Sequence, residues 1–265
     1  MKNPVFIGGA PRSGTTLLRV ILDSHKDIFC GPEFRITPCF GLFYDRAVSN
    51  ERALQALGHT KEGLAQAMQE FLSVCWEPVF SKSSKPYFAE KTPANCDQFL
   101  SLKQIFPDSK LVHCLRDGRD VVCSILAQSW IDANTGEPLE QTNSLEGACK
   151  MWDSMVREGL KARNLPNSEE HYFELRYEEL VSNPEPVLRK LFTFLERDWD
   201  ESVLSFYEKD RNLAGEASSE QVNQPIYQKS LGRWKREFTD QDKELVKNYC
   251  SDLLVELGYE EDLDW

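Results

Sequence analysis

Apolar residues fall in short blocks separated by polar stretches that carry glycine and proline, and the blocks alternate between two periods. Residues 2–9 hold the unbroken run Val5-Phe6-Ile7 and close on Gly8-Gly9, which reads as a buried strand. Residues 15–25 place Leu17, Leu18, Ile21 and Leu22 at helical spacing and predict a helix. Segment 51–76 predicts one or two amphipathic helices broken near Gly58. A further helix is expected over 95–106, a second buried strand over 109–115, and a helix over 117–130 that opens in a basic-flanked turn. Beyond these come a long helix over 144–163, a strand over 171–175, a helix over 184–195 capped by Asn183, and a helix over 240–257 stopped by Gly258. Residues 132–142 and 211–231 are polar and aperiodic, so both are expected to be loops of the kind that cover a ligand. Short strands alternating with helices predict an α/β fold of three layers, a central mainly parallel sheet flanked by helices. No internal repeat divides the chain, and residues 1–265 are expected to form one domain with a sizeable core.

The 265 residues are 41% hydrophobic and carry a formal net charge of -12. Such a surface repels nucleic acid and anionic membranes, so any anionic ligand must be held by a local cluster of Arg and Lys. No apolar run approaches the ~18 residues of a membrane span, and the first strand begins too early to leave room for a signal peptide. The eight cysteines form no CxxC and fit no zinc template, which predicts reduced thiols, no metal and a cytoplasmic protein. Nothing in the pattern speaks to oligomeric state.

Candidate chemistry sits at two strand-to-helix turns. Gly9-Ala10-Pro11-Arg12-Ser13-Gly14 has the GxxxxG spacing of a phosphate-binding loop, but Thr15 stands where a nucleoside-triphosphate loop has lysine. The ligand expected there is an anion held by backbone N–H groups, a helix N-terminus, the hydroxyls of Ser13, Thr15 and Thr16, and Arg12. The bland alternative is a strand–turn–helix that merely carries two glycines. The second turn, Arg116-Asp117-Gly118-Arg119-Asp120, follows the apolar strand Leu111 to Leu115, with Ser124 two turns into the next helix. It reads either as an anion site at a strand end or as a cluster that only caps and salt-bridges its helix. Two separated turns suit a ligand with negative charge at both ends.

The run PRSGTT after an apolar strand resembles the 5′-phosphosulfate loop of sulfotransferases. The longer run, with Gly8-Gly9, Pro11 to Thr16, Arg19, Leu22-Asp23, His25, Cys30-Gly31, Glu33 and Arg35, resembles the tyrosylprotein sulfotransferases. The resemblance implies that the donor is 3′-phosphoadenosine 5′-phosphosulfate (PAPS). It would be bound at its 5′ end by Arg12, Ser13, Gly14, Thr15 and Thr16, and at its 3′-phosphate by Arg116 and Ser124. Arg176-Tyr177-Glu178-Glu179-Leu180 matches a strand-end tyrosine, implying Tyr177 near the nucleotide. The segment 218–235 resembles one that closes over the nucleotide, implying Ser218 at the transferring group and Arg233 at the 3′-phosphate, with Lys229 as a rival. Phe88-Ala89-Glu90-Lys91-Thr92-Pro93 resembles the family's lysine-containing loop, so Lys91 joins Arg12 and Ser218 in stabilising the leaving phosphate. Glu33 matches the catalytic glutamate, with His25 as the alternative base, and Arg35 would bind an acidic acceptor or orient Glu33. The family's further arginine is Cys39 here. The scheme requires no metal. The implied function is transfer of a sulfuryl group from PAPS to an acceptor hydroxyl, a tyrosyl or other phenolic hydroxyl of a peptide or protein. The alternatives are a small-molecule or carbohydrate sulfotransferase, a P-loop kinase, which the missing lysine opposes, and a silent nucleotide-binding module.

Overall fold

The computed structural model describes residues 3–56, 58–132, 135–209 and 221–265. Five strands, β1 (Val5–Gly8), β2 (Ile28–Cys30), β3 (Tyr87–Lys91), β4 (Lys110–Leu115) and β5 (Tyr172–Arg176), form one sheet in the order β2-β3-β1-β4-β5. Every pairing is parallel: Val5 stands opposite Ala89 on one side and Lys110 on the other, and Leu115 stands opposite Arg176. Parallel neighbours need crossover connections, and helices in those connections cover both faces. Burial on both faces is why β1 and β4 read as continuous apolar runs.

Successive residues point to opposite faces, so each strand feeds two cores. Phe6 and Leu111 pack with Trp76, Phe99, Trp152 and Leu253, while Ile7 and Val112 pack with Leu18, Ile21, Leu191 and Phe192. Burying one such side chain contributes about 1.5–3 kcal/mol. The first helices are α1 (Thr15–Ser24), α2 (Thr37–Ser49), α3 (Glu51–Ala56), α4 (Lys61–Phe80), α5 (Phe99–Ile105) and α6 (Gly118–Leu126). Later helices span Leu145–Leu160, Pro184–Phe194 and Asp240–Glu256. Strand order reverses around β1, so the loops leaving β1, β3 and β4 meet at one sheet edge, where ligands bind in open α/β sheets.

Several boundaries and elements differ from the pattern. Segment 51–76 resolves into two helices, and the second runs on through Pro78 in its last turn to Phe80. The helix expected over 95–106 starts as a 3₁₀ turn, Pro93–Gln98, before α5. The helix over 117–130 ends at Leu126, with the Asp117 side chain capping it by accepting from the Arg119 N–H. Asn183 sits at the N-cap position of Pro184–Phe194, but its side chain makes no capping bond. Residues 132–142 are not simply loop: Ile131 bridges Pro138, and Glu140–Asn143 is a short helix. Strands β2 and β3 and helix α2 were not expected at all. Among the described residues no helix is long and apolar enough to cross a membrane.

Candidate active site

The loop after β1 is shaped by three residues at positive φ: Gly9 at 152°, Arg12 at 73° and Gly14 at 88°. A Cβ on Gly9 would stand 2.4 Å from the Cys114 carbonyl oxygen, and one on Gly14 would stand 2.5 Å from the Tyr177 ring. The loop therefore lies against β4 and the residue after β5, and glycine is what permits both approaches. Gly14 is the N-cap of α1 and supplies no side-chain cap, so the first amides of that helix are left to a ligand. Ser13 Oγ is buried and has no partner. A buried donor without a partner costs about 1–3 kcal/mol, which an anion would offset.

Arg12 ties this loop to the turn after β4. Its Nε donates to Ser124 Oγ at 3.0 Å, and its carbonyl accepts from Arg116 Nη1 at 2.8 Å. Arg116 also donates through Nη2 to the Ser230 carbonyl at 2.8 Å, and its guanidinium lies 4.4 Å from the Tyr177 ring centroid. Tyr177 OH and Ser230 Oγ share a hydrogen bond of 2.8 Å. Arg116 Nε is buried with no partner, a second orphaned donor. Arg233 pairs with Glu237 at 2.5 Å and also lines the cavity. Burial lowers the Arg12 pKa, and the neighbouring Arg116 and Arg233 cations push it further down. A buried guanidinium held beside two further arginines is the electrostatic form of a site built for an anion.

The charge-bearing pair lies at the β3 side. Lys91 is the last residue of β3, and its side chain is fully buried. The lysine expected in a loop is thus strand-borne and internal. Its Nζ sits 2.5 Å from Glu33 Oε1 and 3.3 Å from Thr16 Oγ1. Arg35, largely exposed, donates from Nε to the other Glu33 oxygen at 3.1 Å. Glu90 was not singled out by sequence reasoning. Its carboxylate accepts from Thr92 Oγ1 at 2.7 Å, Asn95 Nδ2 at 2.6 Å and the Phe34 N–H at 3.2 Å. Burial raises the Glu90 pKa, and these hydrogen bonds oppose the rise. Glu90 thereby fastens the loop carrying Glu33 to the sheet; the only signal for it was a carboxylate directly after the apolar Tyr87-Phe88-Ala89.

These groups line a cavity of about 880 Å³ that includes Arg12, Thr15, Thr16, Glu33, Arg116 and Ser124. Gly14, Arg35, Tyr177 and Arg233 also border it. Ser218 lies outside the described residues. Lys229 accepts through its carbonyl from Arg236, whereas Arg233 reaches the cavity. His25 is fully buried elsewhere, its Nε2 bonded to the Asp198 carbonyl at 2.9 Å and its ring stacked on Phe192. It is a packing and helix-ending residue. Among the described residues no group of three or more His, Cys, Asp and Glu could hold a metal ion.

Known proteins resemble the chain in both sequence and fold. A protein-tyrosine sulfotransferase 1 of Danio rerio is 30% identical over 97% of this chain and 72% of its own length. Across the first curated relatives matched, the chain spans between 46% and 72% of their lengths. Among solved structures, the sulfotransferase domain from the curacin biosynthetic pathway has a TM-score of 0.67 at 19% identity, covering 98% of this chain and 99% of that one. A mouse sulfotransferase complexed with PAP has a TM-score of 0.60 at 14% identity, covering 96% of this chain and 85% of that one. Both share the fold. The sequence model of the sulfotransferase family matches residues 4–201, from the strand before the first anion loop to beyond β5, and the chain belongs to that family.

Proposed function

We propose that this chain transfers a sulfuryl group from PAPS to a tyrosyl or other phenolic hydroxyl of a peptide or protein, as one catalytic domain over residues 1–265. The observation that carries the reading is the convergence of Arg12, Arg116 and Arg233 on one cavity, with the orphaned donors Ser13 Oγ and Arg116 Nε. The two buried donors fit a bisphosphorylated nucleotide, the first loop taking the 5′ end and Arg116, Ser124 and Arg233 the 3′-phosphate. The donor assignment is also supported by the PAP complex of the mouse structure, and the acceptor by the name of the zebrafish relative.

In this scheme the acceptor oxygen bonds to sulfur as the bond from sulfur to the bridging phosphate oxygen breaks. A phenol has a pKa of ~10, so its proton passes to Glu33 during the transfer rather than before it. Charge left on the phosphate falls to Arg12, Lys91 and Ser218. An in-line displacement sets the acceptor and leaving oxygens on opposite sides of sulfur, so in this reading Lys91, 2.5 Å from Glu33, also orients the base while its charge serves the leaving phosphate. Arg35, exposed at the rim and bonded to Glu33, orients the base and meets acidic residues of the acceptor. A reducing, cytoplasmic setting goes with this reading, since all eight cysteines are free and six are buried.

The decisive test is binding of PAP and ADP side by side. Losing one charge-assisted contact costs ~1.5–3 kcal/mol, so Arg116→Ala is expected to weaken PAP by roughly tenfold or more and leave ADP nearly unchanged. Equal losses for both ligands would remove the 3′-phosphate assignment. With Arg12 and Lys91 carrying the leaving-group charge, sulfuryl transfer is also expected to survive EDTA. Loss of activity restored by Mg²⁺ would overturn that division of labour.

A further inference from the structure

Arg119 is buried, does not border the cavity, and has no part in the scheme above. Its Nε and Nη2 grip the Asp117 carboxylate at 2.9 and 2.8 Å, and Nη1 bonds Glu260. Its guanidinium also packs against two indole rings, 4.1 Å from the Trp234 centroid and 4.5 Å from the Trp265 centroid. The two rings meet edge to face at 5.6 Å. Trp265 is anchored in turn, its Nε1 donating to Ser251 Oγ at 3.1 Å on the helix Asp240–Glu256. Next to this stack, the Asp120 carboxylate accepts from the Gly232 N–H at 2.8 Å and the Trp234 N–H at 3.1 Å. One more tie runs from the same region: Tyr259 OH donates to Glu178, whose other oxygen accepts the Asp117 N–H at 2.9 Å.

We infer that Arg119, packed against the corner formed by Trp234 and Trp265, is a positioning residue that latches residues 230–234 over the 3′-phosphate end of the nucleotide. The segment 258–265 therefore tunes donor binding without touching the donor. The latched stretch carries Ser230, which holds Arg116 and Tyr177, and Arg233, which borders the cavity. A guanidinium stacked on indole in a desolvated site is among the stronger cation–π contacts. Removing the Trp265 ring frees the backbone of 230–234 without substituting any residue that borders the cavity. The inference rests on the PAPS reading for its consequence in binding, but the latch itself is a property of the free protein.

The test uses Trp265→Ala and Trp265→Phe in the full chain. In the free protein, hydrogen exchange at the Gly232 and Trp234 amides is expected to speed up in Trp265→Ala and to stay near wild type in Trp265→Phe. PAP affinity is expected to fall roughly tenfold in the alanine variant, with ADP affinity unchanged. The donor KM should rise with kcat within about twofold, because reacting groups lie at the other end of the cavity. A general loss of stability would instead weaken PAP and ADP alike, and that result overturns the latch. So does unchanged exchange at 232 and 234. If the wild-type protein itself failed to prefer PAP over ADP, the PAPS reading would fall, and the exchange data would still decide for or against the latch.

Discussion

Glu33 is held from two sides, by Lys91 at 2.5 Å and by Arg35 at 3.1 Å, and its loop is pinned from below by Glu90. A carboxylate fixed this way has one oxygen turned to the buried cation and one to the rim, which suits a base that must meet an incoming hydroxyl. Glu33→Gln keeps the shape and removes the proton acceptor. It is expected to lower kcat by ~10²–10⁴ with PAP affinity nearly unchanged. The deficit should shrink for nitrophenol acceptors, whose protons leave more easily. Near-normal turnover of the variant would exclude Glu33 as the base, and His25 could not replace it, because that imidazole is buried against Phe192. At this scale the sequence was informative only through resemblance. An acid after Gly-Pro carries no signal by itself, and Lys91 alone reads as a solvated lysine. Its full burial follows from its place at the end of β3, a strand that the pattern did not disclose.

The elements that position the site were unevenly legible. β1 and β4 are covered on both faces and write themselves as apolar runs, and α1 follows from its leucine spacing. β2 is three residues long, and β3 ends in Glu90 and Lys91, so neither shows a period. The charged end of β3 is stabilised by partners far away in sequence, Glu33 for Lys91 and the Phe34 N–H for Glu90, which only the fold brings close. The loop between β1 and α1 was legible because its glycines are dictated by geometry. Gly14→Ala tests that reading. The position has φ 88°, and the new Cβ would stand 2.5 Å from the Tyr177 ring. A non-glycine residue in this region costs about 1–3 kcal/mol, so urea denaturation should show a loss of that size. Tyr177 must also shift away from Arg116 and Ser230, so PAP binding should weaken more than ADP binding. An alanine variant of wild-type stability and affinity would show that the loop does not need this conformation.

At the scale of the whole molecule, a chain with net charge -12 concentrates cations at one sheet edge. Fields of the distant acidic surface fade within a Debye length of about 8 Å at physiological salt, so the local arginines govern the cavity. The stability of the body beneath depends on other ionisable groups. His113 on β4 is fully buried, with Nδ1 bonded to Tyr172 OH at 2.7 Å and Nε2 without a partner. The backbone of Gly159 presses close, since a Cβ there would stand 2.4 Å from the ring. Burial lowers the His113 pKa to about 4 from an unfolded value of 6.5; Glu174 opposes the shift and Arg163 adds to it. The native state thus binds this proton less readily than the unfolded chain. Its contribution is intact above pH 6.5 and is lost as pH falls from 6.5 toward 4. At pH 4.5 the loss amounts to roughly 2–3 kcal/mol relative to pH 7.5. Asp97 works in the opposite sense: burial raises its pKa to about 6, so its protonation below that pH favours the native state. The net pH profile therefore mixes both signs, and the informative quantity is a difference. His113→Asn keeps a hydrogen-bonding group toward Tyr172 and removes the titration. Urea unfolding at pH 7.5 and 4.5 should show wild type losing about 2–3 kcal/mol more than the variant over that interval. Parallel losses in the two proteins would mean that His113 takes up its proton without penalty, and that the space around Nε2 accommodates an imidazolium.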